Sequence, residues 1–334
     1  MKKTLSIIFA ALLLLFPLSA CEKDDDGLTT LQVNEVTHSI FYAPMYLADS
    51  MGFFEAEGLK IELTNGGGAD KVMASVLSGD ADIGFCGPEA ALYVLAGGST
   101  DVPKVFGQLT KRDGSFLVSR VDEPDFEWSD LEGKEILAGR KGGVPAMTFE
   151  YILNQNGLTD GVNVDLNFDV AFDLMTAAFE GGTADYCTMF EPVASEYEAA
   201  GKGYVVASVG EASGEVPYTC YIAKDSWLEK NETEARGFLR AMTKAIKYIN
   251  EHSSEEVAPY LQEHFATTSL ESIAISLDSY KAIDAWVSNM AMTEDALDRL
   301  QDIIENAGEL PRRVNFADLV TTEYAQEIYD EVYR

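Results

Sequence analysis

Short apolar runs alternate with amphipathic stretches along most of the chain, the pattern of an α/β protein built on mainly parallel strands. Residues 31–36 read as a first strand. A loop over 37–43 then leads to Pro44, which suits the first turn of a helix through Met45, Tyr46 and Leu47. Residues 59–63 form the next strand, and Asn65-Gly66-Gly67-Gly68 turns into a helix. In that helix Val72 and Val76, and Met73 and Leu77, recur four apart on one face, with Gly79 placed to end it. Towards the C-terminus the pattern is largely helical. Leu239, Met242, Ile246 and Ile249 follow one stripe there, while Arg240, Lys244 and Lys247 lie elsewhere on the wheel.

The pattern contains an internal echo. Gly79-Asp80-Ala81-Asp82 precedes the run Ile83-Gly84-Phe85-Cys86, and Gly87-Pro88-Glu89 opens a helix. Further on, Gly182-Thr183-Ala184-Asp185 precedes Tyr186-Cys187-Thr188-Met189-Phe190, and Glu191-Pro192 opens another. Each unit is a glycine stop, Ala-Asp, a buried strand and a helix that starts at a proline. Either so short a repeat is coincidence, or two lobes share one parallel-sheet unit. The second lobe begins near Trp128-Ser129-Asp130, takes residues 135–138 as a fresh strand, and ends near Gly214. The expected division is 29–122 with 217–334 for lobe I and 123–216 for lobe II. A middle lobe flanked by both ends of the other requires two chain crossings, and two crossings make a hinge.

The N-terminus reads as an address. Lys2 and Lys3 precede a run over 4–20 without charge, broken by Pro17, which fits a signal peptide over 1–20 and is too short for a membrane anchor. Leu18-Ser19-Ala20-Cys21 resembles a bacterial lipobox, in which Cys21 carries the lipid, and 21–28 makes an acidic tether. The expected product is exported and held to the bacterial cell membrane by lipid alone. Among 334 residues, 56 acidic side chains against 24 basic ones leave a net charge of −32, which disfavours nucleic acid and anionic membrane surfaces as partners. An apolar share of 47% rules out a disordered chain despite that charge, and the length favours two domains. Cys86, Cys187 and Cys220 are odd in number and lack CxxC spacing, so each reads as a small buried hydrophobe.

Lipobox, then Phe53-Phe54-Glu55-Ala56-Glu57-Gly58-Leu59, then Ser78-Gly79-Asp80-Ala81-Asp82-Ile83-Gly84, then Asp130-Leu131-Glu132-Gly133-Lys134 occur in an order that resembles the solute-binding proteins of ABC importers. Within them the chain is most similar to the nitrate, sulfonate, taurine and thiamine-pyrimidine group. The resemblance implies a two-lobed periplasmic-binding-protein-like fold of type II, closure over a small molecule, and delivery to a permease with its ATPase subunits. The chain is expected to be a monomer without cofactor, metal or catalytic residues.

In open parallel sheets, ligands bind beyond the carboxyl ends of the strands, where helix N-termini present unpaired N–H groups. This points to five loops: 37–42, 66–70, 86–89, 140–145 and 190–192. The candidate contacts are His38, Phe41, Tyr42, Gly67, Gly68, Cys86, Gly87 and Glu89 in lobe I, with Gly142, Gly143, Phe190 and Glu191 in lobe II. Phe41 and Tyr42 either stack on a flat ring or pack beneath the first helix. Glu89 and Glu191 sit in first helical turns, where an acid is favoured by the macrodipole whatever its function. As ligand contacts they would accept hydrogen bonds from an amino or ring N–H. The resemblance raises His38, because the pyrimidine-binding relatives carry a histidine after the first strand. It also raises Glu191, because relatives place a hydrophobic residue, an acid and a proline at that point. Glu191→Gln is accordingly expected to weaken binding at least tenfold with a nearly unchanged melting temperature. Arg140-Lys141-Gly142-Gly143 makes an anion cradle or a solvated pair of cations. The acids and aromatics favour a heterocyclic or amine-bearing ligand over a bare sulfonate, taurine or nitrate.

No GxSxG, HExxH or GxxxxGK[ST] motif is present, and only His38, His252 and His264 are available for histidine chemistry. A synthase like the eukaryotic thiamine-pyrimidine enzymes and a membrane-receptor sensor are the remaining alternatives.

Overall fold

The computed structural model describes residues 27–99 and 101–334, so the signal-like run and Cys21 lie outside the described residues. No helix among the described residues is long and apolar enough to cross a membrane. Among the described residues ten strands form two five-stranded sheets. They are β1 (Thr29–Glu35), β2 (Leu59–Asn65), β3 (Ile83–Cys86), β4 (Pro103–Thr110), β5 (Ser115–Ser119), β6 (Glu135–Leu137), β7 (Asp165–Leu166), β8 (Tyr186–Phe190), β9 (Tyr204–Ser208) and β10 (Thr219–Lys224).

The first sheet runs β2-β1-β3-β10-β4 and the second β7-β6-β8-β5-β9. In each, three parallel strands are followed by one reversed strand that arrives from the far side of a chain crossing. β3 and β8, the strands of the sequence echo, hold the same central place in their sheets. The sheets are therefore mixed, and the fold is the two-lobed α/β architecture that the alternation predicts.

The chain crosses between Thr110 and Ser115 and returns between Ser208 and Thr219. The first crossing falls earlier than the expected boundary at 122 and 123, because β5 pairs with β8 and β9 of the second sheet. The two crossings lie side by side. The Val216 N–H donates to the Lys111 carbonyl at 2.8 Å, and the Thr219 N–H to Thr110 Oγ1 at 2.9 Å. Asp113, beside the first crossing, is fully buried, and its Oδ1 accepts from the Ser115 N–H and hydroxyl. Burial pushes the Asp113 carboxyl up to about 7. Gly210 packs so closely that a Cβ would lie 2.2 Å from the Asp113 carbonyl oxygen.

The core of the first lobe is aromatic. Phe85 stacks on Tyr221 at 4.4 Å, Tyr42 lies 4.3 Å from Phe85, and Phe238 meets Tyr221 edge-on. Phe238 belongs to the helix Glu232–Glu251, whose buried stripe includes Leu239, Met242, Ile246 and Ile249, as the spacing predicts. Its polar side holds Arg240 and Lys244 against Glu57. Cys86, Cys187 and Cys220 are buried free thiols.

Candidate functional site between the sheets

The carboxyl ends of the parallel strands of both sheets converge on a cavity of about 340 Å³, within the ~300–1,000 Å³ usual for small-molecule sites. From the first lobe it is lined by Val36, Thr37 and Tyr42 after β1, by residues 67–71 after β2, and by Gly87 and Glu89 after β3. From the second come Arg140 and residues 143–145 after β6, the loop 168–173 after β7, and Phe190 at the carboxyl end of β8. Tyr218 and Thr219 complete it at the start of β10.

Glu89 dominates the chemistry. It opens the helix Glu89–Ala96, is 2% exposed, and leaves Oε2 without a hydrogen-bond partner. Burial pushes its carboxyl up to about 7, against the opposing pull of the Arg140 guanidinium and of the backbone N–H groups of Val144 and Ala90. Gly87 makes this placement possible, since a Cβ there would sit 2.0 Å from Glu89 Oε2. Aromatic surface surrounds the carboxyl: Tyr42, Phe168, Phe172, Phe190 and Tyr218 all reach the cavity. Desolvation holds the Tyr42 phenol well above its usual range, so it stays a neutral donor. Arg140 reaches Asp70 across the opening at 3.9 Å, with both side chains half exposed or more.

Several expected contacts take other places. His38 is absent from the lining. Its Nδ1 lies 2.9 Å from Glu35 Oε1 and its Nε2 2.9 Å from the His264 carbonyl, and its ring stacks on Phe265 at 4.6 Å. Both ring nitrogens face acceptors, which suits the doubly protonated form, and the Glu35 hydrogen bond raises the His38 pKa. A raised folded-state value means that the contact stabilises the fold fully below the unfolded value of about 6.5 and is lost as pH rises through the higher value of the folded state. The melting-temperature deficit of His38→Gln should therefore be larger at pH 6 than at pH 8.5. A pH-independent deficit would remove the charge from this contact.

Phe41 is 1% exposed and packs among Tyr42, Phe190, Tyr218 and Tyr280 beneath the cavity. Cys86 is buried in β3 opposite Cys220. Gly142 lines a neighbouring cavity. Glu191 lies furthest from its expected role. Its carboxylate is buried and accepts from the Ser195 N–H at 3.0 Å, the Ser195 hydroxyl at 2.6 Å and the Ser279 hydroxyl at 3.0 Å. It accepts from the first turn of the helix Val193–Ala199 and ties that helix to Leu270–Ala282, leaving little capacity for a ligand. Tyr42, Gly67, Gly68, Gly87, Glu89, Gly143 and Phe190 do come together around the cavity.

The five-loop expectation omits 168–173 and 218–219. The strand before the first, Asp165–Leu166, is too short to leave a pattern. The second lies at the start of β10, which runs antiparallel to β3, so its amino end meets the cleft where the rule looks only for carboxyl ends. Among the described residues no group of three or more His, Cys, Asp or Glu side chains is arranged to hold a metal ion.

Residues 40–256 match the NMT1/THI5-like family. A Bacillus subtilis protein, YtlA, which carries the provisional name of a binding protein, is 41% identical over 321 residues, 96% of each chain. The 4-amino-5-hydroxymethyl-2-methylpyrimidine phosphate synthase of Aspergillus parasiticus is 26% identical over 222 residues, 63% of each chain. Among solved structures, the alkanesulfonate-binding protein SsuA from Xanthomonas axonopodis pv. citri, bound to MOPS, aligns with a TM-score of 0.72 at 16% identity, covering 88% of this chain and 98% of its own. The nitrate-binding protein NrtA from Synechocystis PCC 6803 aligns at 0.74 with 16% identity, covering 91% and 89%. At such identities the likeness is one of fold.

Proposed function

Because the chain belongs to the NMT1/THI5-like family, we propose that it is an extracytoplasmic solute-binding protein of the ABC-import type. It captures a small heterocyclic, amine-bearing molecule between its lobes and hands it to a permease. The jaws of this reading divide at the crossings 110–115 and 208–219. In the same reading the chain is exported, anchored through a lipid on Cys21, and monomeric. The name of the Bacillus relative agrees with binding as the activity.

The observation that carries the ligand class is Glu89: a buried, unpartnered carboxylate oxygen on the wall of an aromatic cavity. A ring N–H or amino group would supply the missing donor while the ring rests against Tyr42, Phe172 or Phe190, where stacking is worth ~0.5–1.5 kcal/mol beyond burial. A second reading, a small anion, draws on Arg140 and the N-terminus of Val144–Gln155 beside it. It is weaker, because Arg140 already faces Asp70 and the acid Glu89 shares the same wall. Turnover of the kind the synthase-named relatives perform draws no support from His38, whose ring nitrogens are both engaged away from the cavity.

The test is a thermal-shift and calorimetric screen of residues 22–334 against aminopyrimidines, sulfonates, taurine and nitrate, with scattering of the bound and unbound protein. An aminopyrimidine should raise the melting temperature by several degrees and bind in the micromolar range, ~8 kcal/mol. Binding of sulfonate or nitrate with no response to any aminopyrimidine would replace this reading with the anion one.

A further inference from the structure

Beside the inner cavity lies a second one of about 570 Å³, walled by the helices Ala69–Ser78 and Glu89–Ala96 and by residues 140–142 of the other lobe. Glu309 and Pro311 close its rim from the C-terminal segment. The two compartments share Ala69, Asp70, Glu89 and Arg140, so these residues form the partition. Two of them matter chemically. Glu89 is buried and its Oε2 lacks a partner, a state that a donor on a passing group would relieve. Asp70 and Arg140 are 3.9 Å apart and substantially exposed, and ion pairs of that kind are weak enough to be parted by a ligand.

Beyond the partition the wall changes character. Met73, Ala74, Leu77 and Val94 give an apolar surface, and the Tyr93 hydroxyl is fixed by donating to the Gly142 carbonyl at 3.2 Å. Charges of both signs line it, Asp70, Glu89 and Glu309 against Arg140 and Lys141. A charged group entering there would gain little from so mixed a field and would lose its hydration. An alkyl chain with a polar, uncharged end fits both the apolar wall and the mixed rim.

We infer that the ligand of this site has two parts: a flat ring in the inner cavity, and an uncharged, hydrogen-bonding alkyl arm. The arm leaves the ring beside Glu89, passes between Asp70 and Arg140, and occupies the outer compartment. This inference rests on the binding function proposed above and adds to it the length and chemistry of the ligand.

Calorimetry with two probes tests it: 4-amino-5-methylpyrimidine, and the 4-aminopyrimidine bearing a four-carbon primary alcohol chain at ring position 5. The armed probe should bind at least tenfold more tightly than the methyl probe. That gain should vanish in Ala74→Trp, where an indole placed from an exposed helical position fills the outer compartment, while the methyl probe keeps its affinity. Leu77→Trp, on the same wall, should give the same result if Ala74→Trp does not fold. If the methyl probe binds and the arm adds nothing, or if the gain survives in both variants, the two-part ligand is overturned while the binding function stands. If neither probe binds, the ring reading fails and the inference fails with it.

Discussion

Replacing Glu89 with glutamine is expected to weaken ligand binding about a hundredfold and, at pH 8, to make the unliganded protein more stable. The first effect follows from a buried carboxylate oxygen that no protein group satisfies. A charge-assisted hydrogen bond from the ligand would contribute ~1.5–3 kcal/mol, and a glutamine amide presents a donor where an acceptor is needed. The second effect follows from the cost of ionising Glu89 in the folded state. Its carboxyl is raised from 4.5 to about 7 by burial. Only the Arg140 guanidinium among nearby charged groups favours the anion, while Tyr42, Tyr93, Tyr218, Cys86 and Cys220 surround it with groups that ionise less readily for its presence. An acid raised on folding stabilises the protein below its unfolded value, and that contribution is lost as pH rises through the folded value. Between pH 4.5 and 8 the loss amounts to about 3 kcal/mol. Glu89→Gln escapes it, so its melting temperature should exceed that of the wild type by several degrees at pH 8 and by much less at pH 5. Wild-type affinity for an aminopyrimidine should climb as pH rises through about 7, whereas residual binding by the variant should not follow that curve. Affinity within threefold of wild type would place Glu89 outside the site.

This pairing of weaker binding with greater stability is what separates Glu89 from an ordinary helix-capping acid, and the sequence could not make the distinction. Glu89 and Glu191 carry the same local signature, an acid beside a proline in the first turn after the central strand of a sheet. What divides them is the company they find in three dimensions. Glu191 meets Ser195 one turn on and Ser279 from a distant helix, whereas Glu89 meets only backbone and a cavity. Ser195 stands four residues from Glu191 in the sequence, whereas Ser279 stands 88 away.

The same limit explains the crossing. The run Phe116-Leu117-Val118 is apolar and buried in β5, but an apolar pattern names no sheet. Its membership of the second sheet is fixed by pairing with β8 and β9. By contrast, β3, β8 and the helix Glu232–Glu251 announce themselves, because local periodicity and helix-stopping glycines are enough to define them. The cleft was found through a rule about parallel strands. The parts that escaped, residues 168–173 and 218–219, stand on a two-residue strand and a reversed one.

Removing the Glu191 side chain should therefore unsettle the fold before it touches the ligand. Glu191→Ala leaves the Ser195 N–H, the Ser195 hydroxyl and the Ser279 hydroxyl without their acceptor at a site 4% exposed. Hydrogen bonds to a charged acceptor contribute ~1.5–3 kcal/mol each and do not add in full, so a combined loss of about 3–4 kcal/mol is expected. For a chain of this length that corresponds to a fall in melting temperature of roughly 5–10 °C. Glu191→Gln keeps one acceptor, and the serine hydroxyls can rotate to accept from its amide, so its loss should be about half as large. Ser279 lies on the helix Leu270–Ala282 and Glu191 beyond β8 of the second sheet, so their bond also holds the lobes together. Its loss should loosen binding by fivefold or less, through the closure equilibrium and without a lost ligand contact. Calorimetric melting and ligand titration of both variants check the argument. An unchanged melting temperature in Glu191→Ala together with a tenfold loss of affinity would return Glu191 to the ligand and strip it of its role as a tie between the lobes.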